Sequence, residues 1–238
     1  MDKGKLILFP VSIGGALDWS LPTANGELLN SCHHFVVEEL RTARRFLKSA
    51  GYLHPIDETE FMELNEHTHR EETEHYLDAA DKGFNIGLLS EAGLPCIADP
   101  GAMVVEAAQQ KGLEVVPLVG PSSLMLTLMA SGLNGQKFTF NGYLPVERKS
   151  REAAIARLER DGLKLGETQL LIEAPYRNNQ MMQSLVDVCH DETLICVGCD
   201  LMMPSQMVRT RRVADWRKQM PDLHKRNTVF AIGQTAKR

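Results

Sequence analysis

Residues 85–123 read NIGLLSEAGLPCIADPGAMVVEAAQQKGLEVVPLVGPSS. The pattern predicts strand, loop, helix, strand, loop and the start of another helix. Asn85–Leu89 and Leu113–Leu118 are short apolar runs. Between them, Met103, Val104, Ala107 and Ala108 share one helical face that can pack on a sheet. That order predicts a right-handed βαβ unit with parallel strands. Both loops leave the carboxyl ends of their strands, where open α/β sheets bind ligands.

The loop residues point to close backbone work. Gly93 and Gly101 allow close approach or positive φ, while Pro95 and Pro100 fix φ and remove a donor. Asp99, before Pro-Gly, suits a turn or a helix start. Gly120, Pro121, Ser122 and Ser123 open a helix with backbone N–H groups and two hydroxyls exposed to a ligand. Two such loops suggest a pocket without naming what fills it.

The rest of the chain bounds the answer. Its 238 residues can bury a large core in one big domain or two small ones. A hydrophobic content of 43% and a charged content of 24% are ordinary for a globular protein. MDKGKLILFPV is basic and then apolar, but the run Leu6–Val11 is too short for a signal and reads as a first strand. No apolar stretch is long enough to span a bilayer. Five irregularly spaced cysteines predict free thiols in a reducing, cytoplasmic compartment. The net charge is −5, unevenly spread. Residues 201–238 hold nine Lys/Arg against two Asp/Glu, while residues 51–82 hold ten Asp/Glu against two Lys/Arg. A basic, anion-facing surface on an acidic protein and a merely solvated basic tail both fit that asymmetry.

Working outward, Lys5–Val11 is a strand followed by the loop Ser12–Asp18, which lacks the G-x-G-x-x-G of a dinucleotide fold. His34–Glu38 is a second strand, and the next helix has Leu40, Ala43, Leu47 and Ala50 on one face. Asp57–Asp81 predicts a loop and an exposed helix. Its His67, His69, Glu71, Glu74 and His75 do not match H-E-x-x-H, so no metal is expected. The helix after Gly120 carries Leu124, Met125, Leu126, Leu128 and Met129 and should be buried, at a domain or subunit contact. Strands follow at Phe138–Leu144, Gln169–Glu173, Leu194–Val197, Met207–Val213 and Thr228–Ile232. Helices are predicted at Glu147–Asp161, with Ala154, Ile155 and Leu158 inward, at Asn178–Val188 and at Asp215–Met220. Cys196 and Cys199 form one isolated C-x-x-C at a strand end, better read as buried thiols than as zinc ligands.

SEAGLPCIADPG followed by VVPLVGPSSL resembles the tetrapyrrole methylase superfamily of S-adenosylmethionine-dependent methyltransferases. The nearest likeness is to its small-subunit rRNA ribose 2′-O-methyltransferase branch. FPVSIGGALD is similar to that branch's Pro-x-Pro-Ile-Gly-Asn-Leu, VEELRTARRFL to its Glu-Asp-Thr-Arg helix start, and IEAPYR to its Glu-Ala-Pro-His-Arg. Ser12, Gly15, Glu39, Leu40, Glu91 and Tyr176 depart from the branch's pattern. The resemblance implies two α/β domains, 1–117 and 118–238, with a donor-binding cleft between them, and a homodimer. It implies S-adenosylmethionine contacts from Val11, Gly93, Leu94, Pro95 and Ile97, hydrogen bonds from Ser122 and Ser123, and a far wall of Ile172, Glu173, Ala174 and Leu201.

Methyl transfer from a sulfonium is an in-line displacement that disperses positive charge, so orientation outweighs a strongly charged pocket. A ribose hydroxyl is a poor nucleophile and benefits from a positioned base. Glu38 and Arg41 match the branch's glutamate and arginine, and Glu173 with Arg177 nearby is the other candidate. For Glu38 and Arg41, a helix-end charge and a solvated arginine fit equally well. Three functions stay open: a methyltransferase for rRNA or another RNA, one for a tetrapyrrole or protein acceptor, and a noncatalytic donor-binding module.

Overall fold

The computed structural model describes residues 3–65, 68, 70–73 and 75–235. The chain divides into two compact units, Met1–Ser122 and Ser123–Arg238, each with its own sheet.

In the first unit, β1 (Leu6–Phe9) leads through two short helices, α1 (Leu17–Ser20) and α2 (Ala24–Leu29), to β2 (Cys32–Val37) and α3 (Leu40–Ser49). β3 (Glu60–Glu63), α4 (Arg70–Thr73) and α5 (Asp78–Asp81) follow. β4 (Asn85–Leu89), α6 (Ala102–Gln110) and β5 (Val115–Pro117) complete it. The strand order is β3-β2-β4-β1-β5, and every pairing is parallel. The βαβ unit is therefore not a pair of neighbours, because β1 lies between β4 and β5. Successive strand residues face opposite sides, as a two-residue period requires. Ile7, Phe9, Phe35 and Val37 pack with Leu29, Phe46 and Leu47 of α2 and α3. Leu6, Val36, Ile86 and Leu88 pack on the other face with Val104 and Ala108 of α6.

The second unit begins with α7 (Ser123–Ser131), β6 (Phe138–Tyr143), α8 (Arg148–Leu165), β7 (Thr168–Ile172) and α9 (Asn178–Val188). β8 (Leu194–Cys199), β9 (Met207–Arg212), α10 (Val213–Lys218) and β10 (Thr228–Gly233) follow. The order is β6-β7-β10-β8-β9, with β6·β7 parallel and the other pairs antiparallel. Ile155, Met181, Leu185 and Trp216 cover one face, and Leu124 and Leu128 cover the other.

Several expectations are corrected. The acidic segment contains a strand, β3, because Phe61 and Met62 can pair beside β2 even between glutamates. α7 is not buried all round within the chain, since Met125 is 41% and Met129 78% exposed. α8 runs four residues further than its charge pattern suggests and ends at Gly166, whose φ is +64°. Cys196 and Cys199 are buried free thiols. His67, His69 and Glu74 lie outside the described residues; His75 pairs with Asp78 at 3.2 Å.

Candidate functional site

The loops leaving the carboxyl ends of β1, β4 and β5 are tied together. Val11 N–H donates to Gly93 O and Gly93 N–H to Val11 O, each at 2.9 Å. The buried Ser90 hydroxyl also donates to Gly93 O, at 2.8 Å. Gly93 has φ +81°, and a Cβ there would lie 3.5 Å from Pro121 O and 3.4 Å from Ile13 Cγ2. Gly120 has no room for any side chain, since a Cβ would sit 2.1 Å from that of Pro10. Val11, Gly93 and the Pro121–Ser122 backbone are thereby brought together, with Ser123 opening α7.

The loop after β4 holds unusual backbone. Cys96 and Ala98 have φ +67° and +59°, between Gly93 and Gly101 at +81° and +128°. Left-handed conformation costs a non-glycine residue about 1–2 kcal/mol, and such strain clusters where a loop must present a particular surface. Pro95 is buried and Leu94 half-buried, whereas Ile97 is 51% exposed.

Carboxylates gather beside this loop. Glu38 directly follows β2, Asp99 ends the strained turn, and Glu91 contributes both its charge and a backbone hydrogen bond to Asp99. Asp99 shares a hydrogen bond with Glu38, while its Oδ2 is buried without a partner among the described residues. Burial first, then the charge and hydrogen bond of Glu38, push the Asp99 carboxyl up to about 7. Two carboxyl groups can share a hydrogen bond only if one carries the proton. Glu39, not Glu38, caps α3, accepting from Arg41 N at 2.9 Å and Thr42 N at 2.7 Å. Thr42 links cap to loop by donating its hydroxyl to Glu91 Oε1 at 2.5 Å. Arg41 stands exposed on α3.

In the second unit, Glu173 directly follows β7, with a side chain only 1% exposed. Its Oε1 accepts from Ala174 N at 2.7 Å and from Arg177 Nη2 and Nε at 2.6 and 3.0 Å. Its Oε2 is buried with no partner among the described residues. Ile172 and Ala174 flank it. Leu201 is not beside them in the sheet: it follows β8, separated from β7 by β10. It is buried between Asp200 and Met202, at φ +47° and +67°.

These features fit a sulfonium donor with an ammonium group. The first-unit loops offer a strained backbone at Cys96 and Ala98 and a buried Asp99 oxygen without a partner among the described residues, an acceptor suited to a cationic or N–H group. A separate pocket lined by Phe9, Leu17, Leu21, Leu29 and Phe46 includes none of the expected donor contacts. By its sequence context Asp99 suits a turn or a helix start and carries no sign of a shared proton. Nothing in the spacing of positions 38, 91 and 99 reveals that the fold brings their carboxyl groups together.

Comparison with known proteins gives a consistent picture. The sequence model of Tetrapyrrole (Corrin/Porphyrin) Methylases matches residues 14–215. A protein of Leptospira borgpetersenii serovar Hardjo-bovis named "Ribosomal RNA small subunit methyltransferase I" is 30% identical, over 98% of this chain and 88% of its own length. One of the same name from Vibrio cholerae is 28% identical, over 88% of this chain and 69% of its own. The crystal structure of the methyltransferase CobJ superposes with a TM-score of 0.65 at 16% identity, covering 99% of this chain and 96% of that one. Uroporphyrin-III-C-methyltransferase from Thermus thermophilus gives 0.56 at 18% identity, covering 97% and 94%. The two solved structures speak to the fold, and the match over residues 14–215 speaks to descent. The chain belongs to the tetrapyrrole (corrin/porphyrin) methylases and is an S-adenosylmethionine-dependent methyltransferase.

Proposed function

We propose that the acceptor is small-subunit ribosomal RNA and that the methyl group goes to a ribose 2′-hydroxyl. The observation that carries this reading is the near full-length match to relatives named for that RNA, which reaches 98% of this chain. The bound donor supplies an electrophilic methyl group on a cationic sulfur. Val11, Gly93, Leu94, Pro95 and Ile97 hold it through backbone and apolar contact, Ser122 and Ser123 through hydrogen bonds. Ile172, Glu173, Ala174 and Leu201 are the second unit's own candidates for donor contact.

Glu38, sharing a proton with Asp99, takes the hydroxyl proton as the new O–C bond forms and the C–S bond breaks. A carboxylate that already shares a hydrogen-bonded proton is placed to accept one, which suits that step. Arg41 contacts the acceptor's phosphate. Glu173 acts through Arg177, which it fastens at 2.6 Å. The two units act as two α/β domains, divided within residues 118–123. A second copy covers Met129 on α7, and the protein works in the cytoplasm.

The test is transfer of labelled methyl from S-adenosylmethionine to small-subunit rRNA, with the modified nucleotide located by its resistance to alkaline cleavage. Glu38→Gln should lower kcat while donor affinity holds. Transfer to a tetrapyrrole or a protein but not to RNA would refute the reading.

A further inference from the structure

Two tyrosines stand in solvent at one end of the second sheet. Tyr143 is 59% exposed and Tyr176 is 60% exposed, in a protein whose other large rings are mostly packed. Tyr143 ends β6 opposite Ile172 of β7, one residue before Glu173. The register slips between Phe140 and Tyr143, with Gly142 at φ +63°. Such a bulge re-aims the side chain that follows it. Tyr176 sits in the turn Pro175–Arg177, with the Arg177 guanidinium 5.2 Å from its ring centroid. Arg177 is in turn locked by Glu173, and its Nη1 donates to the Tyr176 hydroxyl at 3.3 Å.

One more cation borders this cluster. Lys225 is exposed, with φ +59°, and its N–H donates to Pro175 O at 2.9 Å. Neighbouring Arg226 is held by Asp200 at 2.8 Å. The backbone around Lys225 is thus anchored while its side chain is left to solvent. Exposed rings, a fixed guanidinium plane and a bordering ammonium are the parts that bind unpaired nucleotides: π-faces take bases and the cation takes phosphate.

We propose that Tyr143 and Tyr176, with Arg177 and Lys225, form a stacking platform for an unpaired nucleobase of the RNA acceptor. This rests on the RNA reading above. It assigns Tyr176 a role in acceptor recognition, at a position where the sequence departs from the histidine of the rRNA branch. Arg177 orients Tyr176, and Glu173 contributes by holding Arg177.

The test uses the full chain and a single-stranded RNA oligonucleotide carrying 2-aminopurine, whose fluorescence falls when it stacks. The wild type should quench it on binding. Tyr143→Ala and Tyr176→Ala should each weaken binding about tenfold and remove the quench, whereas Tyr176→Phe keeps both. Lys225→Ala should keep the quench and reduce the salt slope by about 0.7. S-adenosylmethionine affinity by calorimetry, and oligomeric state by light scattering, should be unchanged throughout. Wild-type affinity and quench in both alanine variants would overturn the platform while leaving rRNA methylation standing. Loss of donor affinity instead would assign the rings to the donor's adenine, and a change in oligomeric state would assign them to a subunit contact. Either result overturns the proposal. Absence of methyl transfer to rRNA by the wild type would instead remove the RNA reading itself.

Discussion

Val11 and Gly93 exchange both of their backbone hydrogen bonds, each 2.9 Å long, outside any strand. This pair clips the loop after β1 to the loop after β4. Gly93 reaches it only with φ +81°, a conformation that an L side chain adopts with strain.

Gly93→Ala should therefore lower stability by about 1–2 kcal/mol. It should also weaken S-adenosylmethionine binding, because the clipped loops are the proposed donor contact. Gly112→Ala is the control: its φ is +65°, with nothing within 4 Å of the added Cβ. Denaturation should show a similar loss in both variants, and calorimetry a weaker donor affinity only in the first.

Asp99 sets a pH dependence with a definite sign. Its carboxyl is raised from 3.8 to about 7 by burial and by Glu38, with Glu91 also facing it. The stability tied to its retained proton is fully present below the unfolded value and is lost as pH rises through about 7. Asp99→Asn cannot ionise, so its Tm relative to wild type should climb between pH 5 and pH 8. A constant difference across that range would show that Asp99 is not the titrating group.

Gly198 lies under Thr127, where an added Cβ would come within 2.2 Å of Oγ1 and 2.9 Å of Cγ2. Gly198→Ala should cost about 1–3 kcal/mol by overpacking β8 against α7. Thr127→Ala removes both atoms, and its own hydroxyl is buried without a partner among the described residues. The double variant should be clearly more stable than the sum of the two single changes implies.

The basic segment of the second unit offers an electrostatic test. Arg211 lies over the Trp216 ring at 5.1 Å, while Arg212 and Lys218 pair with Glu192 and Asp215, each at 3.0 Å. Exposed pairs of this kind are weak and can be displaced by phosphate. Reversing Arg211, Arg212 and Lys218 to glutamate should weaken RNA binding and reduce its salt slope by about 2–3, with donor affinity unchanged. RNA binding that keeps its slope would reject this surface.

Much of this architecture could be read from the residues. β4 runs Asn85–Leu89 and α9 runs Asn178–Val188, with the bounds their apolar patterns predict. Local signals of that kind work where one face is buried by one neighbour. They fail where a contact is remote in sequence. β3 is hidden because its glutamates are tolerated at a sheet edge. The insertion of β1 between β4 and β5 follows from pairing, not periodicity. The shape of the loop after β4 was legible through glycine and proline, which announce backbone conformation. The Glu38–Asp99 pair was not, because acidity alone does not tell which side chains will share a proton.

The place of β1 between β4 and β5 also shapes how the chain can be made. Leu6–Phe9 is made before both of its partners, β4 and β5, which are encoded roughly 80–110 residues later. At the usual 5–20 residues per second, this apolar strand stays without its partners for about 5–20 s of synthesis. Its unpaired edges and apolar side chains are open to association in that interval, and slowing translation between β1 and β5 should raise the yield of aggregated nascent chain.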